Sequence, residues 1–199
     1  MCVIAVAVKT RISLETLREC EATNRHGGGC AWREAGQVRW QKGITAVEMH
    51  DLLATKPLPH ICHFRIATVG AVGVELCHPF AVLTHNNSAT HGVTNGSVLF
   101  HNGTCQSWRF YALLSGVTPA LSDSQTVARM AAFRGEAVLE NIAAEGGGVF
   151  ATMHATKGLR LHGRFHQHGD HQFSNLRWVR QEAPPTCWHG VPENLRLWP

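Results

Sequence analysis

A chain of 199 residues, 44% hydrophobic and 16% charged, is long enough for one compact domain with a real core and leaves no room for a second catalytic domain. Its formal charge of +4 comes from Lys and Arg that are scattered rather than clustered, which excludes a nucleic-acid footprint, although fourteen His can raise that charge in mild acid. Seven cysteines without a C-x-x-C pair exclude a disulfide framework and a structural zinc site, no apolar run can span a bilayer, and the N-terminus lacks a signal-peptide pattern, so a cytoplasmic protein is expected.

The chain opens with a buried strand, Cys2 to Val8, followed by a short helix capped by Ser13 with Leu14, Leu17 and Cys20 on one face. After three glycines, Cys30 to Glu34 and Val38 to Lys42 flank Ala35-Gly36 and read as a hairpin. Thr45-Ala46-Val47-Glu48 is a capping box for a helix that runs to about Thr55 and is stopped by Pro57 and Pro59. His60 to Ala67 reads as a buried strand. Thr68 to Ser97 is irregular and large for a loop, which marks it as a functional candidate. Val98 to His101 is another strand, Trp108 to Leu114 is helical in pattern, and Ser122-Asp123-Ser124-Gln125 is a second capping box that leads into Thr126 to Phe133. A further helix covers Glu136 to Ala144. Strands return at Val149 to His154, Leu159 to Phe165 and His171 to Arg180, and the expected domain, residues 1–183, ends in an extended tail over 184–199.

Cys2 directly follows the initiator. If Met1 is removed, one residue carries a thiol nucleophile and a free α-amine that can act as its base. The amine (~7.7–8.0) and the thiol (~8.5) are nearly matched, so the proton can pass between them near neutral pH. Taken alone, Cys2 reads first as a small hydrophobe at the start of a strand. Taken alone, Asn102-Gly103 reads first as a turn after a strand, and Asp123 as a charge at a helix N-terminus. Arg65 differs, because a charge inside an apolar strand needs a partner or a wet cleft. Arg160, His162, Arg164, His166 and His168 share one face if they form one strand, but interleaved arginines repel a cation and no carboxylate completes a ligand set, so no metal is expected. Trp108, Phe110 and Tyr111 read as packing residues, not as a platform for bases.

Met1-Cys2, the segment His63-Phe64-Arg65-Ile66-Ala67-Thr68 with His78-Pro79-Phe80 after it, Phe100-His101-Asn102-Gly103, and Leu121-Ser122-Asp123-Ser124-Gln125 occur in an order and at a spacing that resemble the class II glutamine amidotransferases of the N-terminal-nucleophile (Ntn) hydrolase superfamily. Asn24-Arg25-His26-Gly27-Gly28-Gly29 and Phe173-Ser174-Asn175 are weaker echoes of the same pattern. The likeness covers most of the chain and is nearest to small stand-alone bacterial and phage versions. It implies an α+β fold, a four-layer αββα sandwich of two antiparallel sheets flanked by helices.

By the same resemblance, Cys2 attacks the side-chain amide of glutamine, Asn102 and Gly103 form the oxyanion hole, Arg65 holds the substrate carboxylate, and Asp123 receives its ammonium. Thr68 assists the substrate, and His78 belongs to a loop that frames the pocket. No cofactor is implied. The implied partners are glutamine and a separate ammonia-accepting synthase, in the cytoplasm. The alternative is an inactive interaction protein in a larger assembly such as a virion, reusing the fold and keeping Met1. Three departures from the family pattern stand out: Gln125 replaces an acid, Val3 a glycine, and His26 an acidic residue of the glycine loop.

Overall fold

The structure is a computed structural model that describes residues 2–67, 72–85, 88–116 and 121–179. In chain order its elements are β1 (Val3–Ala7), α1 (Leu14–Thr23), β2 (Gly28–Glu34), β3 (Gln37–Ile44), α2 (Ala46–Ala54), β4 (His60–Phe64), a 3-10 turn (Val74–Leu76), β5 (Phe80–Ala81), β6 (His91–Thr94), β7 (Ser97–Asn102), α3 (Trp108–Leu114), α4 (Asp123–Arg134), α5 (Val138–Ala144), β8 (Val149–His154), β9 (Gly158–His162), β10 (His166–His168) and β11 (His171–Phe173). Seven strands form one sheet in the order β10-β11-β1-β4-β2-β3-β6, and four form a second in the order β5-β7-β8-β9; every pairing is antiparallel.

Three apolar clusters correspond to the three interfaces of a four-layer sandwich. Val3, Ala5 and Ala7 of β1 face Leu17 and Cys20 of α1 and Met49 and Leu53 of α2. Ile4 and Val6 point the other way, onto Val98 and Phe100 of β7 and Ala151 and Met153 of β8. Leu99 and Phe150 then cover the outer face of the second sheet against Val127, Ala131, Leu139 and Ile142 of α4 and α5. The period-two alternation of strand side chains therefore puts each strand of the central layers against two different cores. That is why β1 is an unbroken apolar run and β4 is buried along its whole length. The α+β, αββα expectation holds.

Both capping boxes are formed. At α4 the Ser122 hydroxyl accepts from Gln125 N (3.2 Å) while Ser122 N donates to Gln125 Oε1 (3.0 Å). A glutamine closes the box as an acid would, so this departure from the family pattern has no structural cost. Ser122→Ala is expected to destabilise the protein by about 1 kcal/mol, read as a lower urea midpoint at unchanged slope.

Four expectations are corrected. The strand from His60 stops at Phe64 instead of reaching Ala67, because the backbone beyond it turns to other partners: Arg65 N to Gly27 O, Ile66 N to Cys2 Sγ, and Ala67 N to His26 Nδ1. Arg160 to His168 is not one strand, since β9 ends at His162, Gly163 has φ 85°, and β10 lies in the other sheet. The final strand ends at Phe173, and the irregular region before Ser97 contains β5 and β6. Met1, Thr68 and the tail over 184–199 lie outside the described residues.

Candidate active site

Val3 pairs with Phe64 and Ile4 with His63, a register that sets Cys2 beside Arg65 at the end of the two central strands. Cys2 shares its side of β1 with Ile4 and Val6, so its thiol belongs to the space between the sheets. The sulfur accepts from Ile66 N at 3.4 Å and lies 3.6 Å from Ile66 O. Burial pushes the thiol above its ordinary range, opposed by the Ile66 amide, the terminal ammonium and the Arg65 charge.

The turn after β11 fixes the backbone around this cysteine. Asn175 donates from Nδ2 to Cys2 O at 2.7 Å, and Ser174 exchanges two bonds with Ile4, N to Ile4 O and Oγ from Ile4 N, both 2.9 Å. The same Ser174 hydroxyl accepts from Asn102 Nδ2 at 2.8 Å. One serine therefore ties the nucleophile strand to the end of β7. Asn102 keeps a second amide N–H, and its buried Oδ1 has no hydrogen-bond partner among the described residues. Gly103 follows with φ 148°, and a side chain there would place Cβ 2.5 Å from Gly148 Cα, so only glycine lets the two backbones approach.

Asp123 opens α4 and turns its carboxylate toward the loop after Gly103, accepting from Cys105 N (3.1 Å) and Ser124 N (2.8 Å). His101 supports this arrangement from the opposite face of β7. Its ring is 2.9 Å from both Ser124 Oγ and Gly147 O, and 3.9 Å from the Asp123 carboxylate. Cys2, Arg65 and Asn102 are thus gathered at one end of the sandwich. Asp123 joins them through the 103–105 loop rather than by direct contact, and Thr68 lies outside the described residues.

A polar row runs behind the nucleophile. Ile4, His63, Gly29 and Lys42 are consecutive partners across β1, β4, β2 and β3. His78 lies over Gly29 so closely that a Cβ there would be 1.9 Å from His78 O. Its ring packs on His63 (centroids 4.1 Å apart) and edge-on to Phe80 (4.8 Å). Both imidazoles are buried, and neither ring forms a hydrogen bond of ordinary geometry among the described residues. Burial lowers His63 to about 3 and His78 well below its usual range, with Arg65 and other cationic neighbours adding to both shifts. Lys42 sits 4.4 Å over Phe80, and burial brings it down to about 8. Among the described residues no group of three or more His, Cys, Asp or Glu is placed to hold a metal.

Sequence reasoning did not single out Ser174 and Asn175 as clamps on Cys2, nor His26 as the acceptor that holds Ala67. The Phe173-Ser174-Asn175 and glycine-loop echoes were the available signals. His26 stands where an acid is usual and uses its ring nitrogen, 2.8 Å from Ala67 N, to shape the segment that contacts the cysteine.

No protein-family model matches the chain, and no curated protein sequence matches it. Solved structures do. A glutamine phosphoribosylpyrophosphate (PRPP) amidotransferase from B. subtilis, complexed with ADP and GMP, aligns over 89% of this chain and 42% of its own with TM-score 0.56 and 18% identity. A structure described as the allosteric regulatory enzyme of purine biosynthesis aligns over 87% and 41%, with TM-score 0.53 and 16% identity. The chain thus spans about two fifths of the length of these proteins. Identity this low speaks to fold alone: the chain shares the two-sheet, helix-flanked architecture of these structures.

Proposed function

We propose that, once Met1 is removed, this protein hydrolyses the side-chain amide of glutamine and supplies the ammonia to a separate synthase in the cytoplasm. The observation that carries the reading is the convergence of Cys2, Arg65 and Asn102 at one end of the sandwich, with Ser174 shared between the nucleophile strand and the asparagine. The α-amine of Cys2 takes the thiol proton, and the sulfur attacks the amide carbon. The oxyanion is received by the free N–H of Asn102 and the backbone N–H of Gly103, donors worth roughly 3–4 kcal/mol each when preorganised. Collapse expels ammonia, which takes the proton, and leaves a γ-glutamyl thioester. Water then cleaves the thioester, giving glutamate and the free thiol. Arg65 pairs with the substrate α-carboxylate, Asp123 with its α-ammonium, and Thr68 assists in holding the substrate.

A second reading is an interaction protein that keeps the fold without the chemistry, for example in a phage particle. It is favoured by the apolar face that α3 leaves in solvent, with Phe110 58%, Leu113 76% and Leu114 44% exposed. Intact mass and ammonia release from glutamine separate the two. The glutaminase reading requires a mass lacking Met1 and ammonia release, and the Arg65 assignment requires an Arg65→Ala variant with a KM raised about 100-fold. Retained Met1 with no ammonia release overturns it, and normal glutamine affinity in Arg65→Ala overturns the substrate assignment alone.

A further inference from the structure

The outer face of the second sheet changes character along its strands. Beneath α4 and α5 it is apolar, with Leu99 and Phe150, but toward the start of β7 it becomes polar while staying buried, with Ser97 3% and Thr152 0% exposed; His162, 3% exposed, reaches Thr152 from its place beside Phe150. Glu136, in the link between α4 and α5, is set over this patch. Its carboxylate accepts from the Ser97 hydroxyl on one oxygen and from Thr152 Oγ1 (3.2 Å) on the other. Thr152 is held in turn by His162 (3.4 Å), whose other ring nitrogen meets Glu140 at 2.9 Å. Two neutral hydroxyls orient the Glu136 carboxylate without cancelling its charge, and among the described residues no cation pairs with it.

Above the carboxylate is a cleft of about 590 Å³, within the range of small-molecule sites. Small residues make it concave: Ala131, Ala132 and Gly135 on the helix side, Gly96 on the sheet side. Part of its wall carries Lys157 and Arg160, beside His154 and the 82–84 segment, and among the described residues neither cation makes an ion pair. Arg160 is the cross-strand neighbour of Thr152, so its guanidinium starts one strand spacing from the hydroxyl that anchors Glu136.

We infer that this cleft binds a small zwitterion of the α-amino acid class, its ammonium on Glu136 and its carboxylate on Arg160 and Lys157. The charge pattern selects against the simpler alternatives. A dianion meets the fixed carboxylate, and a diamine meets the two cations; a molecule with one charge of each sign satisfies both walls and replaces the hydration that each gives up. The cleft is distinct from the cysteine end, because β7 runs from Ser97 to Asn102, roughly 17 Å for a strand of that length. The inference therefore stands apart from the glutaminase reading.

Ligand-observed NMR and calorimetry on the full chain test it, using succinate, 1,4-diaminobutane and the common L-amino acids at millimolar concentration, with glutamine, glutamate and asparagine left out because the cysteine end is expected to take them. The expected result is binding of at least one amino acid, weakened about tenfold or more by Glu136→Gln and by Arg160→Ala, and unchanged by Arg65→Ala, which acts only at the other end. Arg160 is exposed, so its variant reports on binding even if Glu136→Gln lowers stability. The proposal is overturned if no amino acid binds, if succinate or the diamine binds in preference, or if binding survives Arg160→Ala or is lost in Arg65→Ala.

Discussion

In protein that has lost Met1, Cys2→Ala is expected to reduce glutamine hydrolysis by about 10,000-fold or more, because removing a covalent nucleophile eliminates the two-step route rather than weakening it. The fold should scarcely notice. The position of β1 depends on backbone bonds, Asn175 Nδ2 to Cys2 O and the Ser174 exchange with Ile4, none of which involves the sulfur. The sulfur contributes only its long contacts with Ile66. Ammonia release and thermal unfolding, measured on the same preparation, should therefore separate: activity lost, melting temperature held. A variant that still releases ammonia at a tenth of the wild-type rate shows that the nucleophile lies elsewhere. The same logic bears on Met1. Burial raises the Cys2 thiol, so an uncatalysed thiolate is scarce at neutral pH, and the chemistry needs the adjacent free amine as base. Protein retaining Met1 has an amide at that position and should match Cys2→Ala in rate.

What could be read from the sequence was mostly local. Thr45 to Glu48 and Ser122 to Gln125 announced their helices because a capping box is complete within four residues. β1, β7 and β8 were legible as apolar runs bounded by turns. β5 is two residues long, β6 is His91-Gly92-Val93-Thr94 with exposed side chains, and β10 is a three-residue edge strand; such segments carry no period and are defined by the strand they pair with. The same division runs through the candidate site. Cys2, Arg65, Asn102, Gly103 and Asp123 each sit in a short motif and were named from it. Ser174 and Asn175 act on residues about 170 positions away, and no local pattern encodes that. His63 illustrates a different loss. β4 is buried on both faces, so His63 stands among apolar neighbours with nothing in the sequence to show that it shares a space with His78 rather than with a hydrogen-bond partner.

That pair should make the protein unusually sensitive to mild acid. Burial depresses both imidazoles in the folded state, His63 to about 3, while in the unfolded chain each titrates near ~6.5. The unfolded state therefore takes up protons first. The stability that depends on these neutral rings is fully present above about pH 6.5 and is lost as pH falls through that value, at about 1.4 kcal/mol per pH unit for each histidine, until the folded pKa is reached. For His63 alone the loss approaches about 5 kcal/mol by pH 3, comparable to the whole stability of many domains. A backbone contact with His101 partly offsets the shift at His63, but the charged groups acting on the pair, Arg65 and Lys42, are both cations, and the His101 ring repels when protonated. His60 and His101 are also lowered by burial and add a background slope of the same sign. Urea unfolding between pH 7.5 and 5, above the range in which carboxylates titrate, isolates the histidine contribution. His63→Leu with His78→Leu removes both titrating rings and should flatten the dependence by roughly 2–3 kcal/mol per pH unit once the pH is well below 6.5, whatever it does to stability at neutral pH. If the double variant keeps the wild-type slope, the two imidazoles are not neutral, partnerless groups in the folded protein, and the polar row behind Cys2 must be solvated or paired in a way that stabilises their charge.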